Sequence, residues 1–117
     1  MKKQHAQNEV ARPFLWRDRH GERHLPAHME TRHLFYTLRM IWNNTMPASA
    51  RLPGNLYSFG PTYTREYMLG AIVAIVPELA TRKNMTPEWR QQLQHMIDWI
   101  SIYQLKSEKR AQIEEAA

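Results

Sequence analysis

Four of the six histidines fall in one stretch, RHGERHLPAHMETRH, at His20, His24, His28 and His33. Imidazole is the commonest protein ligand for transition metals and the usual proton carrier near neutral pH, so metal binding is the first chemistry to weigh. A zinc site needs its ligand atoms to converge at about 2 Å from one point. His20, His24 and His28 repeat every four residues, which would align them on a helix, but Gly21 and Pro26 lie between them. Proline removes a helical N–H and clashes with the preceding turn, so one helix cannot carry all three. His28 and His33 sit five apart, on different faces of a helix. The neighbouring carboxylates Asp18, Glu22 and Glu30 are interleaved with arginines that compete for them. There is no HExxH and no cysteine pair. The expectation is no resident metal and no cofactor. An adventitious nickel or zinc ion suits the stretch better than an evolved site.

Other catalytic constellations are absent from the sequence. Nucleophilic catalysis needs a base beside a hydroxyl or thiol and a group that orients that base. Ser49, Ser58, Ser101 and Ser107 are scattered, and there is no cysteine. LPGN and SFGPT read as turns and not as phosphate-cradling loops. Asp18 and Asp98 are the only aspartates, a poor supply for two-metal nuclease chemistry. The expectation is a protein that is not an enzyme. A His-dependent metalloenzyme or nuclease is the remote alternative.

A basic and aromatic face is the stronger pattern. Arg32, Tyr36, Arg39 and Asn43 recur at four, three and four, which places them side by side on a helix, away from an apolar stripe at Leu34, Leu38 and Ile41. Arginine donates to phosphate or carboxylate in a planar fork, and tyrosine stacks or hydrogen-bonds. Arg17, Arg19 and Arg23 lie just upstream and would extend the same surface. The competing reading has Arg32 and Arg39 pairing with Glu30, Glu66 or Glu78 to tie helices together.

The charge distribution favours a partner surface. The net charge is +5, and all of it lies in residues 1–51, where nine basic residues face four acidic ones. Residues 52–117 carry seven of each sign. Such asymmetry points to an acidic partner, either a protein surface or a nucleic acid. No helix-turn-helix spacing or RNA-module motif favours the second.

The elements that must position these residues can be read from periodicity. A chain of 117 residues makes one domain with one modest core. Residues 1–12 read as a flexible basic arm, and 13–117 as a single helical domain. FLWRDRHGERHLP has the pattern of a small hairpin, with strands Phe14–Arg17 and Glu22–Leu25 and a turn at Arg19–Gly21 in which Gly21 supplies a positive φ. Two strands are marginal alone, so the hairpin must lie on helices. A first helix is predicted from Ala27–Met29 to about Asn43, with Asn43–Asn44 as its stop. Residues 45–62 hold three prolines and two glycines and no periodicity. They form either a functional loop or a connector pinned by Met46, Leu52, Leu56, Tyr57 and Phe59.

A second helix is predicted from an N-cap at Thr62 or Thr64 to about Lys83, buried through Met68, Ile72, Ile75 and Leu79, and kinked or broken near Pro77. The third has the clearest start: Thr86 as N-cap, Pro87 in the first turn, Glu88 at the positive end of the helix dipole. Trp89, Leu93, Met96, Ile100 and Tyr103 follow on one face. Trp99 and Ile102 fall off it, to be covered by the hairpin or by a partner. The polar tail from Lys106 is expected to fray. The fold class is therefore mainly α, three helices with an N-terminal β-hairpin, a small α+β arrangement being the variant.

The longest apolar run, Met68–Val76, is too short to cross a bilayer, and the N-terminus lacks the apolar core of a secretion signal. The expected location is the cytoplasm of a host cell, with no membrane partner.

WRDRHGERHLPAHMETRHLFYTLRMI resembles a pattern found in small proteins of phage and prophage genomes. The matching residues are Trp16, Gly21, Leu25, Pro26, Met29, His33 and Leu34, about a quarter of the chain. The resemblance implies a phage-like origin and a hairpin-plus-helix unit in which His33 serves the architecture, bonding a hairpin carbonyl. It transfers no catalytic residue. The function expected is non-catalytic binding by a phage-like accessory protein that presents Arg17, Arg19, Arg23, Arg32, Tyr36 and Arg39 to an acidic surface, such as a host or defence nucleoprotein that it inhibits. The alternative is a structural or oligomerisation module, a virion component or homodimer using Trp99, Ile102 and the 45–62 loop.

Overall fold

The computed structural model describes residues 13–54 and 56–116, with side chains described as far as residue 102. The expected basic arm at 1–12 lies outside the described residues. The fold is mainly α: three helices with an N-terminal antiparallel hairpin. Strand β1 (Trp16–Arg17) pairs with β2 (Arg23–His24) in the register Trp16 to His24 and Arg17 to Arg23. Helices α1 (Thr31–Thr45), α2 (Arg65–Ala80) and α3 (Pro87–Ala116) follow. None of the described helices is long and apolar enough to cross a membrane.

The hairpin is shorter than its pattern, two residues on each strand. Its turn closes with the Asp18 N–H donating to Glu22 O at 2.8 Å and the Gly21 N–H to Asp18 O at 3.0 Å. Gly21 takes φ +85°, the left-handed region that costs a glycine least. Leu25 is extended, as a residue before proline must be.

The first helix begins later than its periodicity suggests. Residues Pro26–His28 form a single 3-10 turn, and Met29 and Glu30 are extended. Arg82, two residues past the end of α2, holds this entry in place. Its guanidinium donates to Met29 O at 2.9 Å, Pro26 O at 3.1 Å and Thr31 Oγ1 at 2.8 Å, while Nε holds Glu78 at 2.9 Å. Met29 and Glu30 stay extended, so α1 starts only at Thr31, and Arg82 shares the Pro26 carbonyl with the Met29 N–H of the 3-10 turn.

From there the stripe does what its spacing requires. Leu34, Phe35, Leu38, Ile41 and Trp42 are all fully buried, each worth about 1.5–3 kcal/mol for its removal from water. They meet Met68, Ala71, Ile72, Ile75 and Leu79 of α2, and Leu93 and Met96 of α3. Asn43 and Asn44 do not stop α1, and no residue other than glycine has a positive φ among the described residues. The helix runs on to Thr45, whose carbonyl accepts a 2.9 Å bond from Arg65.

The capping readings hold at both later helices. Thr64 Oγ1 accepts the Tyr67 N–H at 3.1 Å, and Thr86 Oγ1 accepts the Trp89 N–H at 3.1 Å. Helix α2 passes through Pro77 without breaking and ends at Ala80, earlier than Lys83. Its last carbonyls turn to tighter bonds, Glu78 O to the Thr81 N–H and Leu79 O to the Arg82 N–H. Trp99 packs half-buried against the core, whereas Ile102 stays exposed.

Candidate functional site

Two neighbouring features on one side of α1 make the site. The first is a ladder along the helix. Arg32 lies over the Tyr36 ring at 5.6 Å, and Arg39 lies over the same ring at 5.0 Å and over Phe35 at 5.8 Å. Tyr36 is braced from behind by Trp89, whose ring meets it edge-on at 5.8 Å and stacks on Phe35 at 5.3 Å. Among the described residues neither arginine meets a carboxylate. The ion pairs found are Arg82 with Glu78 and His24 with Asp18. The tie to Glu78 that competed for these arginines is thus taken by Arg82.

Asn43 does not belong to this exposed face. It is buried, its side chain donating to Leu52 O at 3.1 Å and accepting the Leu52 N–H at 2.8 Å. The 46–62 loop folds back over the end of α1 and covers it. Periodicity places a residue on a helix face but does not say what a distant loop will lay against it.

The second feature is a cleft of about 670 Å³ between the hairpin, α1 and the loop. Trp16, Tyr57, Phe59 and Tyr63 form its aromatic walls. Arg19 and His20 enter from the hairpin turn, and His33, Thr37 and Met40 from α1. Met40 also lines a smaller hollow with Tyr36, Arg39, Asn43 and Gly54, so cleft and ladder are contiguous along the helix.

Rings in and beside the cleft hold the hairpin in place. Trp16 stacks on Tyr67 at 5.6 Å and meets Phe59 edge-on at 6.2 Å. The Tyr67 hydroxyl donates to Leu15 O at 2.8 Å and accepts the Arg17 N–H at 2.7 Å. Burial pushes its pKa up. The Tyr63 hydroxyl shares its proton between Arg17 O at 2.9 Å and Asp18 O at 2.8 Å. The expected bond from His33 to a hairpin carbonyl is therefore made by Tyr63 instead. His33 is exposed at the cleft.

The six predicted contact residues separate into three groups. Arg32, Tyr36 and Arg39 come together as the ladder, and Arg19 joins them through the cleft. Arg17 is turned to structure: it donates to Thr62 O at 2.8 Å and lies over Tyr63 at 4.8 Å and Tyr67 at 5.2 Å. Arg23 is exposed on β2, opposite Arg17 in register, and among the described residues nothing joins it to the helix face.

The histidine stretch divides as its glycine and proline require. His20 is in the turn, His24 on β2, His28 in the 3-10 turn and His33 in the first turn of α1. Sequence reasoning overlooked a grouping of Asp18, Glu22 and His24, whose ligand-type atoms lie within 4.8 Å of one another. Asp18 meets His24 Nε2 at 2.8 Å and not an arginine. Its other oxygen accepts the N–H groups of His20 at 2.9 Å and Glu22 at 3.0 Å. Both carboxylate oxygens thus serve the turn. The cleft itself was also missed. The clue was the spacing of Tyr57, Phe59 and Tyr63 at the close of the Pro- and Gly-rich run.

Fold and site together define a small helical domain with a basic, aromatic side. Comparison with protein families, characterised proteins and solved structures found no match for this chain.

Proposed function

We propose that this chain is a non-catalytic binding protein that docks an acidic macromolecular surface on the ladder of Arg32, Tyr36 and Arg39. Arg19 extends the contact across the adjoining cleft. A phage-like accessory role, in which the bound partner is a host or defence nucleoprotein that is thereby inhibited, is the setting this reading takes from the sequence pattern.

The observation that carries the reading is the state of the two arginines. Both are parked on one aromatic ring and neither is neutralised by a carboxylate among the described residues. A cation over an exposed ring gains about 0.5–1 kcal/mol, enough to limit its rotamers without consuming its N–H donors. Such arginines lose less entropy when they meet phosphate or carboxylate.

Retention on immobilised heparin, a generic polyanion, tests this. The native protein binds and elutes with salt, because each neutralised charge releases a counterion. Arg32→Ala with Arg39→Ala elutes at lower salt and lowers the slope of log affinity against log salt by roughly one to two units. Unchanged retention of the double variant would place the contact elsewhere.

A further inference from the structure

We infer that the cleft between the hairpin and α1 takes an unpaired nucleobase, with the adjoining phosphate against Arg19, His20 and His33, so that the acidic partner is a single-stranded nucleic acid. This rests on the binding role proposed for the ladder and gives its partner a chemical class.

The cleft has the size and chemistry of a ligand site. Its volume of about 670 Å³ lies within the roughly 300–1,000 Å³ of small-ligand pockets. Tyr57 is 40% exposed, and it meets Phe59 at 4.9 Å between ring centroids. Phe59 meets Tyr63 at 5.3 Å. A flat, mostly apolar group can therefore lie against an existing set of rings. These rings are held from behind. The Asn44 side-chain amide donates to Tyr57 O, and Tyr63 is fixed by its bonds to the hairpin.

The polar groups at the same cleft select charge. Arg19, His20 and His33 line the cleft, and each side chain carries at least one N–H donor. Asp18 is the one carboxylate in the lining, and its oxygens are already engaged by His24 and two backbone N–H groups. Among the described residues none of Arg19, His20 and His33 meets a carboxylate, so an aromatic space has unpaired donors beside it. That combination suits a base joined to a phosphate. A glutamate or aspartate side chain brings the charge without a flat apolar face. A paired base keeps its faces within the duplex stack and cannot enter.

The continuity through Met40 completes the path. It lines both the cleft and the hollow beside Tyr36 and Arg39. A strand seated by one base in the cleft runs next onto the Arg39–Tyr36–Arg32 ladder, which offers another ring and two more cations.

The test is fluorescence anisotropy with the full chain and three labelled probes: an oligothymidylate of about 15 nucleotides, a duplex of the same length, and poly-L-glutamate. The single strand is expected to bind more tightly than the other two at equal ionic strength. Tyr57→Ala, an exposed position, should weaken the single strand by roughly tenfold. Arg19→Ala, exposed on the turn, should weaken it and lower the salt slope. Equal binding of oligothymidylate and polyglutamate, or indifference of the oligothymidylate to both variants, overturns the cleft assignment. The binding role of the ladder survives that result if Arg32→Ala with Arg39→Ala still reduces heparin retention. It falls separately if that double variant changes nothing.

Discussion

Asp18 carries more of the hairpin than its place in an exposed turn suggests. Its carboxylate takes His24 Nε2 on one oxygen and two turn N–H groups on the other. The His24 bond is the largest cause holding its pKa below the ordinary 3.8, and the Glu22 and His20 amides add to it against the opposing effect of burial. The fold therefore favours the ionised form. The stabilisation is complete above the unfolded-state value near 3.8 and is lost as pH falls through the lower folded-state value. In a proton NMR titration, the His20 and Glu22 amide resonances should shift together below roughly pH 4, with weakening of the Trp16–His24 cross-strand contacts. Amides that do not respond there would mean the turn stands without its carboxylate. The same residue explains why His24 differs from its neighbours in the stretch: it answers Asp18, whereas His20 and His33 face the cleft.

Among the elements, α1 depends on the loop that follows it. The 46–62 segment is pinned at several points. The Trp42 Nε1–H donates to Ala50 O at 2.8 Å, and Asn43 exchanges two bonds with the backbone of Leu52. Ala50 and Leu52 are buried. Of the apolar residues expected to anchor a connector, Met46, Leu52 and Phe59 pack on the core, whereas Leu56 and Tyr57 remain exposed. The segment is thus anchored at its beginning and presents its aromatic end to the cleft. Asn43→Ala leaves the buried N–H and C=O of Leu52 without partners, a cost of about 1–3 kcal/mol. Chemical denaturation should show that loss as a lower midpoint with little change in slope. The loop should also become easier to cleave by protease.

At the scale of the whole molecule, one core joins the hairpin, the loop and the three helices. Trp16 of the hairpin, Met29 of the 3-10 turn, Ala50 and Leu52 of the loop and the inner faces of all three helices belong to a single buried cluster. A two-stranded ribbon is marginal in water, so the hairpin has no stability of its own to retain once the helices separate. Unfolding should therefore be one transition. Far-UV circular dichroism, which reads the helices, and tryptophan fluorescence, to which Trp16 contributes from the hairpin, should give superimposable denaturation curves. A fluorescence change that precedes the loss of helix would show the hairpin leaving alone.

Local chemistry made much of this legible in the sequence. The caps at Thr64 and Thr86, the turn at Gly21, the extended Leu25 before Pro26 and the apolar stripe of α1 all follow from interactions within a few residues, which is the range that spacing encodes. The separation of the histidines followed from the same local rules, because glycine and proline act on their own neighbours. Other features depend on partners far along the chain. Arg82 reaches back across more than fifty positions, to Pro26 and Met29, and ties down the entry to α1. Tyr63 and Tyr67 clasp the hairpin from about fifty residues away. Leu52 buries Asn43, and the aromatic cleft exists only where hairpin, helix and loop meet. Helical periodicity places Arg32, Tyr36 and Arg39 on one face. Whether each cation is spent on a carbonyl, as Arg17 is, or kept on a ring, as Arg39 is, was decided only by tertiary packing, because an arginine's reach extends well beyond the residues beside it in sequence.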